Sequence, residues 1–403
     1  MTLKILRLKK QEERRILAGH LWVFSNEVDT QATPLSKFSP GETVVIQDYR
    51  NKNLGIGYIN PHTLLCARLL AAHEQVTLDT AFFEKKIRLA LSIRERLFNQ
   101  PYYRLVFSEG DYLPGLIIDR FNQDFVVEFS TAGMQNFETQ IIEALKNIFA
   151  PNSILAHHNL NSRQLENLPL ENKVLYQNPE SKNPPEFLQI MENDCTFMTP
   201  ALTGQKTGWF YDHKPNRARL KDYVAGKKVL DLFSYVGGWS IPAAKWGASH
   251  VTAIDSSALA TEFLKKNAEA NGVEKSIDII TEDVFKALEK LIALDVKFDV
   301  IVADPPAFIK RKADLAAGIQ GYKKLHQLCL KLLADDGVLI SASCSLHLSA
   351  EELLNIIRQT SVNGNKPLRV LEQIHQGADH PLHPAIKETA YLKGFISVRT
   401  GSF

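Results

Sequence analysis

Four apolar runs in the second half of the chain each end on a carboxylate. Val229-Leu230 runs into Asp231, and Ser249-His-Val-Thr-Ala-Ile runs into Asp255. Ser276-Ile-Asp-Ile-Ile-Thr-Glu runs into Asp283, and Val296-Lys-Phe-Asp-Val-Ile-Val-Ala runs into Asp304. Runs this short and β-rich, separated by helical patterns, predict parallel strands of an α/β sheet. Acids often terminate strands, but four at one sheet edge point to a ligand site, because open α/β sheets bind ligands at the carboxyl ends of their strands. After Asp231 comes a turn with Gly237 and Gly238, then a helical pattern through Ile241, Ala244 and Trp246. The paired glycines let backbone approach a ligand closely, and a helix N-terminus offers free N–H groups. The dinucleotide fingerprint G-x-G-x-x-G is absent, since Phe233 and Tyr235 stand where it needs glycines. Asp255 lies 24 residues after Asp231, close to the spacing at which a carboxylate takes ribose hydroxyls.

The 403 residues leave room for two or three domains. A net charge of +2 means that any nucleic-acid contact must come from local basic patches. The four cysteines, Cys66, Cys195, Cys329 and Cys344, form no C-x-x-C pair, which argues against a zinc ribbon or a disulfide framework and fits a reducing cytoplasm. No metal-ligand cluster is visible: His157 and His158 are adjacent on a strand and face opposite sides. The first ten residues lack the apolar core of a signal peptide, and no apolar run reaches membrane-span length, so no membrane partner is expected.

Short strands and turns mark residues 1–73 as a small barrel, with Leu3–Leu8, Thr43–Asp48, Ile56–Asn60 and Leu64–Leu70 as its strands. Lys9, Lys10, Arg14 and Arg15 form a basic cluster, opposed only by Glu12 and Glu13. Such a run is commonly just a solvated face. Here it precedes Gly19-His-Leu-Trp-Val-Phe-Ser25, which with Gly41-Glu42 and Gly55-Ile-Gly-Tyr58 resembles a PUA domain, a small RNA-binding barrel. That resemblance makes the four basic residues candidate RNA contacts, while Trp22 reads as core. Residues 74–183 read as an α+β unit: an amphipathic helix from Thr80 to Phe98, a hairpin turning at Pro114-Gly115, a third strand at Phe125–Phe129, a helix from Asn136 to Phe149, and a strand at Ser153–His157. Pro-rich residues 178–185 form the linker to a third domain, 184–403. There a helix is expected over Gly321–Leu333, a turn at Asp335-Asp-Gly337, a strand over Val338–Ser343, and a capping box at Ser349–Glu352.

The Asp231 turn resembles the first motif of S-adenosylmethionine (SAM) methyltransferases. Further motifs narrow the resemblance: Gly204-Gln-Lys-Thr-Gly-Trp-Phe-Tyr-Asp212, Phe233-Ser-Tyr-Val-Gly-Gly238, Asp304-Pro-Pro-Ala-Phe308, Ser343-Cys-Ser345, Asp379-His-Pro381 and Tyr391-Leu-Lys-Gly394. Over almost its whole length the chain resembles the bacterial PUA-containing 23S rRNA (cytosine-5) methyltransferases. The resemblance implies a PUA barrel, a β-β-α-β-β linker domain and a Rossmann-like class I methyltransferase sheet. It implies SAM as cofactor, 23S rRNA as partner, no metal, and compatibility with a homodimer. Asp212, Asp231, Phe233, Ser234, Gly237, Gly238, Asp255, Asp283 and Asp304 become candidate SAM contacts, with Asp255 on the ribose and Asp283 on the adenine amino group. One departure stands out. The family usually carries Gln-Arg after Asp212, whereas this chain has His213 and Lys214, and lysine does not replace arginine at a bidentate site.

Cytosine C5 is a weak nucleophile, and its methylation calls for covalent activation by a thiolate at C6. Cys344, between two serines at a strand's carboxyl end, is the candidate nucleophile, and Asp304 the candidate partner for N3 and the exocyclic amine. Free cysteines are commonly buried packing residues, and Cys66, Cys195 and Cys329 are read so. The base for the C5 proton is left open between water and Asp304. Two alternatives remain. Methylation of an exocyclic amine needs an aromatic directly after Pro306 to stack on a flipped base, but Ala307 stands there and Phe308 follows. A catalytically silent RNA-binding protein would have no need of Asp231, Asp255, Asp304 and Cys344 together.

Overall fold

A computed structural model describes residues 3–72, 76–158, 161–181, 183–204 and 207–400. Contacts divide the chain into two compact units: Met1–Leu188 with Pro200–Tyr211 and Ala378–Thr389, and Gln189–Thr199 with Asp212–Gly377 and Ala390–Phe403. The expected boundary at 73 and 74, part of the 178–185 linker at Lys182, and Gln205 and Lys206 of the Gly204–Asp212 motif lie outside the described residues.

The first unit begins with a five-stranded sheet of Lys4–Arg7, Trp22–Val23, Glu42–Gln47, Asn53–Ile59 and Ala67–Ala71. Its inward positions, among them Leu6, Val23, Val44, Ile46, Ile59 and Ala67, form one apolar core. Trp22 is half-buried and donates its indole N–H to Glu109 Oε1 at 2.8 Å. A second five-stranded sheet follows, from Tyr102–Phe107, Leu116–Phe121, Asp124–Phe129, Ser153–Ala156 and Lys173–Gln177, neighbours in chain order. Phe83 and Ile87 of helix Thr80–Leu97 and Ile141 and Leu145 of helix Glu138–Phe149 close its core. Three strands precede the second helix, which corrects the β-β-α-β-β pattern. Phe121 and Asp124 pair across a two-residue hairpin in which Asn122 has φ +60°, so the third strand follows without a break.

The second unit is built on a seven-stranded sheet. In chain order its strands are Lys228–Leu232, His250–Asp255, Ile277–Thr281, Phe298–Ala303, Leu333–Ser343, Leu368–His375 and Lys393–Arg399, and in space they run 3-2-1-4-5-7-6. The seventh runs antiparallel to both its neighbours, and the first five are parallel. Near-continuous apolar strands such as Phe-Asp-Val-Ile-Val-Ala suit a sheet covered on both faces. The first and fourth strands are neighbours from which the chain winds in opposite directions, so a crevice opens between their carboxyl ends.

Several boundaries differ from the sequence reading, two of them for reasons of packing and register. The helix expected from Gly321 begins at Leu315 and includes Gly318, where a Cβ would meet Ile309 Cγ1 at 2.2 Å, so packing favours glycine inside it. The Asp335–Gly337 turn is a bulge within the fifth strand: pairing jumps from Phe298–Leu333 to Val300–Val338, and Asp336 takes φ +59°. Ser349 caps its helix as expected, in a capping box with Glu352, and Ser257 caps the helix Ala258–Ala270. Among the described residues no helix is long and apolar enough to cross a membrane, and no three His, Cys, Asp or Glu side chains converge as metal ligands.

Candidate active site at the carboxyl edge of the seven-stranded sheet

Asp231 is fully buried near the end of the first strand. Burial pushes its carboxyl up to about 7, although the Ser240 hydroxyl, donating at 2.5 Å, pulls it back. Its Oδ1 and the nearby Ser234 hydroxyl are buried without a hydrogen-bond partner among the described residues. Phe233, Tyr235 and Gly237 all have positive φ, at 61°, 49° and 94°. Such backbone persists in non-glycine residues only when its surroundings over-determine it. Here the Ser234 N–H donates to Ile254 O, the Tyr235 N–H to Asp255 Oδ2 at 2.9 Å, and Asn267 Nδ2 to Val236 O at 2.9 Å. Asp255 also accepts the Ser257 N–H at 2.8 Å, so it fastens the loop to the next helix. Asp283 lies two residues past the third strand, is exposed, and caps the helix Val284–Ala293 by accepting the Lys286 N–H at 3.1 Å.

Asp304 directly follows the fourth strand. His213 Nε2 stands 3.2 Å from its Oδ1, and Trp239 Nε1 donates to its Oδ2 at 3.2 Å. Burial pushes the Asp304 carboxyl up, but the His213 imidazole and the Trp239 indole hold it below the usual carboxylate range. Burial likewise pulls His213 down, and Asp304 more than compensates, so the ring titrates above its ordinary value. Asp212 is buried and accepts the Tyr391 hydroxyl at 2.5 Å.

Cys344 follows the fifth strand, which pairs in parallel with the fourth through Ala303 and Ser341. Ile309 N–H donates to Ser345 Oγ at 3.2 Å, which ties the Asp304-Pro-Pro loop to the cysteine loop. The Tyr322 hydroxyl lies 2.7 Å from Ser343 Oγ and 2.9 Å from Ser345 Oγ, bracing both flanking serines. Cys344 is half-buried, whereas Cys66, Cys195 and Cys329 are buried. Sequence reasoning quoted Lys393 in a motif but gave it no role. It pairs with Ser343 across the sheet, donates to Ser345 O at 2.6 Å, and feels the charge of Cys344. Burial lowers its ammonium to about 8. Strand alternation in Lys393-Gly-Phe-Ile was the signal that would have pointed it inward. Phe308 is half-buried and packs 4.8 Å from the Tyr322 ring, against the apolar core. A cavity of about 620 Å³ among Lys228, His250, Asp278, Ile280 and Phe298 is lined by none of Asp231, Asp255 and Asp304.

In the first unit, Lys9, Lys10 and Arg14 are exposed. Arg15 is bonded to Glu27 at 2.6 Å and lies over the Phe24 ring, so it serves the barrel itself.

Residues 6–72 match a PUA-like domain and residues 177–396 match the S-adenosylmethionine-dependent methyltransferase family. A ribosomal RNA large subunit methyltransferase I from Klebsiella pneumoniae is 35% identical over 392 residues, 96% of each chain. The chain belongs to the ribosomal RNA large subunit methyltransferase I family. An Escherichia coli member is 33% identical over 392 residues, covering 96% of this chain and 97% of its own. A putative SAM-dependent methyltransferase from Streptococcus mutans shares the fold with a TM-score of 0.81 at 20% identity, over 98% of this chain and all of its own. Methyltransferases of this family use SAM, and a similar fold, also with a TM-score of 0.81, is known complexed with SAH. The site fits such a cofactor: a buried carboxylate with an unpartnered oxygen suits a cationic ligand, and the loop that follows it carries an unpartnered buried hydroxyl at Ser234.

Proposed function

We propose that the chain methylates C5 of a cytosine in 23S rRNA, through a covalent bond between Cys344 and C6. The observation that carries this reading is the placement of Cys344. It is half-exposed at the sheet edge that also bears Asp304, with the two loops joined through Ile309 and Ser345. The thiolate adds to C6, the C5=C6 pair shifts toward C4 and N3, and C5 becomes an enamine carbon. Asp304, held as a carboxylate, takes the exocyclic amine. The sulfonium cofactor supplies the methyl group. Loss of the C5 proton to water then restores the double bond and expels the thiolate. Phe308 packs against the Tyr322 ring, and Ala307 has no ring to stack on a base, which favours C5 over an exocyclic amine. Nucleoside mass spectrometry of 23S rRNA from a deletion strain tests the reading: loss of one 5-methylcytidine is expected, and an unchanged content refutes it.

For the cofactor, Asp231, Phe233, Ser234, Gly237 and Gly238 would surround the methionine end, Asp255 the ribose and Asp283 the adenine, with Asp212 and Asp304 at the rim. Asp255→Ala is expected to weaken SAM binding, because charged hydrogen bonds contribute about 1.5–3 kcal/mol and the loop loses two anchors. Calorimetry with unchanged affinity would remove Asp255 from the site.

The PUA-like barrel of residues 1–73 would supply RNA affinity, and residues 184–403 the chemistry. Lys9→Ala/Lys10→Ala/Arg14→Ala is expected to weaken RNA binding and to lower the salt slope by about 2–3, since each phosphate contact contributes about 0.7–0.9. Filter binding across a salt series checks this, and an unchanged slope would clear these residues of phosphate contact.

A further inference from the structure

We propose that His213 is the positioning residue that aims Asp304 at the target base, acting as an N–H donor rather than as a carrier of protons. The inference rests on the reading that Asp304 holds the cytosine. Asp304 is followed by Pro305 and Pro306, which have no N–H, so the two next residues cannot cap its carboxylate with backbone donors. Side chains must orient it. His213 Nε2 serves Oδ1 and Trp239 Nε1 serves Oδ2, each at 3.2 Å, and one donor per oxygen fixes the carboxylate plane.

The ring is itself held from behind. Asn216 Nδ2 donates to His375 O at 3.0 Å, which sets the amide's orientation, and the same nitrogen stands 3.2 Å from His213 Nδ1. Nδ1 therefore accepts, and the proton of the neutral ring resides on Nε2, facing Asp304. His213 is 4% exposed, and its ring meets the Trp239 indole edge-on at 5.5 Å, so the two donors brace each other. The charged groups around the ring are Asp304, Asp212 and Arg217, the last paired with Glu192. Protonation strengthens the contact but is not needed for it, because Nε2 carries a hydrogen in both states. The departure from the family pattern becomes intelligible: glutamine and this histidine tautomer each present a neutral N–H.

The test is a set of rate measurements on the full-length enzyme with its RNA substrate. His213→Gln should keep kcat within about threefold. His213→Leu should lower kcat on the order of a hundredfold, the scale of a small misplacement of a reacting group, with a much smaller change in the Kd for SAM, which Asp304 meets only at the rim. Its acid limb should also move to higher pH, because burial and Asp212 then push Asp304 up with one donor fewer. A His213→Leu enzyme with wild-type kcat and pH profile would overturn the proposal, and so would a His213→Gln enzyme as slow as the leucine variant. Nitrogen-15 NMR of the intact wild-type protein gives an independent check: His213 should titrate from the imidazolium to the Nε2–H tautomer, and an Nδ1–H tautomer would refute the arrangement. Wild-type product other than 5-methylcytidine, or an Asp304→Asn enzyme at full rate, would instead bring down the underlying reading.

Discussion

Cys344→Ala is expected to reduce methyl transfer to background while leaving SAM binding nearly intact, because Cys344 follows the fifth strand and lies outside the Asp231 loop proposed for the cofactor. RNA carrying 5-fluorocytidine at the target should become trapped on the wild-type enzyme. Fluorine cannot leave as a proton does, so elimination stalls after methyl transfer and the Cys344–C6 bond persists. The alanine variant should show no trapped band. Cys329 gives the control: it is buried on its helix, its thiol is pushed up to about 12, and Cys329→Ala should keep substantial activity and full trapping. A denaturing gel of the three proteins with fluorinated RNA makes the comparison. Production of 5-methylcytidine by Cys344→Ala at the normal rate would overturn the assignment, and product on an exocyclic nitrogen would transfer the case to amine methylation.

Lys393→Met should slow the enzyme about tenfold to a hundredfold at neutral pH by raising the thiol pKa of Cys344. A thiol near a lysine is acidified, and each unit of pKa changes the thiolate fraction tenfold. The same burial that lowers Lys393 to about 8 leaves little water to screen its charge from Cys344. The sign follows from the two titrations. Below pH 8 the ammonium is present and favours the thiolate; as pH rises through about 8 it loses its proton and the advantage fades. The gap between wild type and variant should thus be widest near neutrality and close in alkaline solution. Iodoacetamide alkylation against pH reads this directly, since Cys66, Cys195 and Cys329 are buried with thiols pushed up to about 12, 11 and 12. Superimposable alkylation profiles would exclude the lysine. Lys393→Arg, which retains charge, should fall between the two.

The sheet was legible because its determinants are local. Apolar runs ending in acids needed no partner to be recognised, and Ser257 and Ser349 announced their helices through hydroxyls three residues from the N–H groups they cap. Asp231, Asp304 and Cys344 drew notice for the same reason, each lying within one residue of a strand's carboxyl end. What escaped notice depends on pairs distant in sequence. Nothing near His213 indicates that residue 304 will lie 3.2 Å away, and nothing near Lys393 indicates Ser345. Asp283 adds a second role that its β run did not announce: the strand stops at Thr281, and the side chain proposed for the adenine also caps a helix. Arg15 was grouped with its basic neighbours by composition, and only the fold reveals Glu27 beneath it. The bulge at Asp335–Gly337 read as a turn because both present the same residues, and only register separates them.

Asp231 has a consequence for the lifetime of the molecule. Its carboxyl titrates at about 7 when folded, against an ordinary value of 3.8. Between those values the folded chain holds a proton that the unfolded chain has released, so the contribution of this one carboxyl to stability is fullest in acid and declines as pH rises through that interval. At cellular pH the folded chain therefore carries a buried acid at a disadvantage, together with an orphan oxygen and a loop of left-handed residues. A ligand that binds only the folded form shifts the balance in proportion to its concentration. Resistance to cellular proteases would then follow the supply of methyl donor, and a starved cell would clear this enzyme sooner than a fed one.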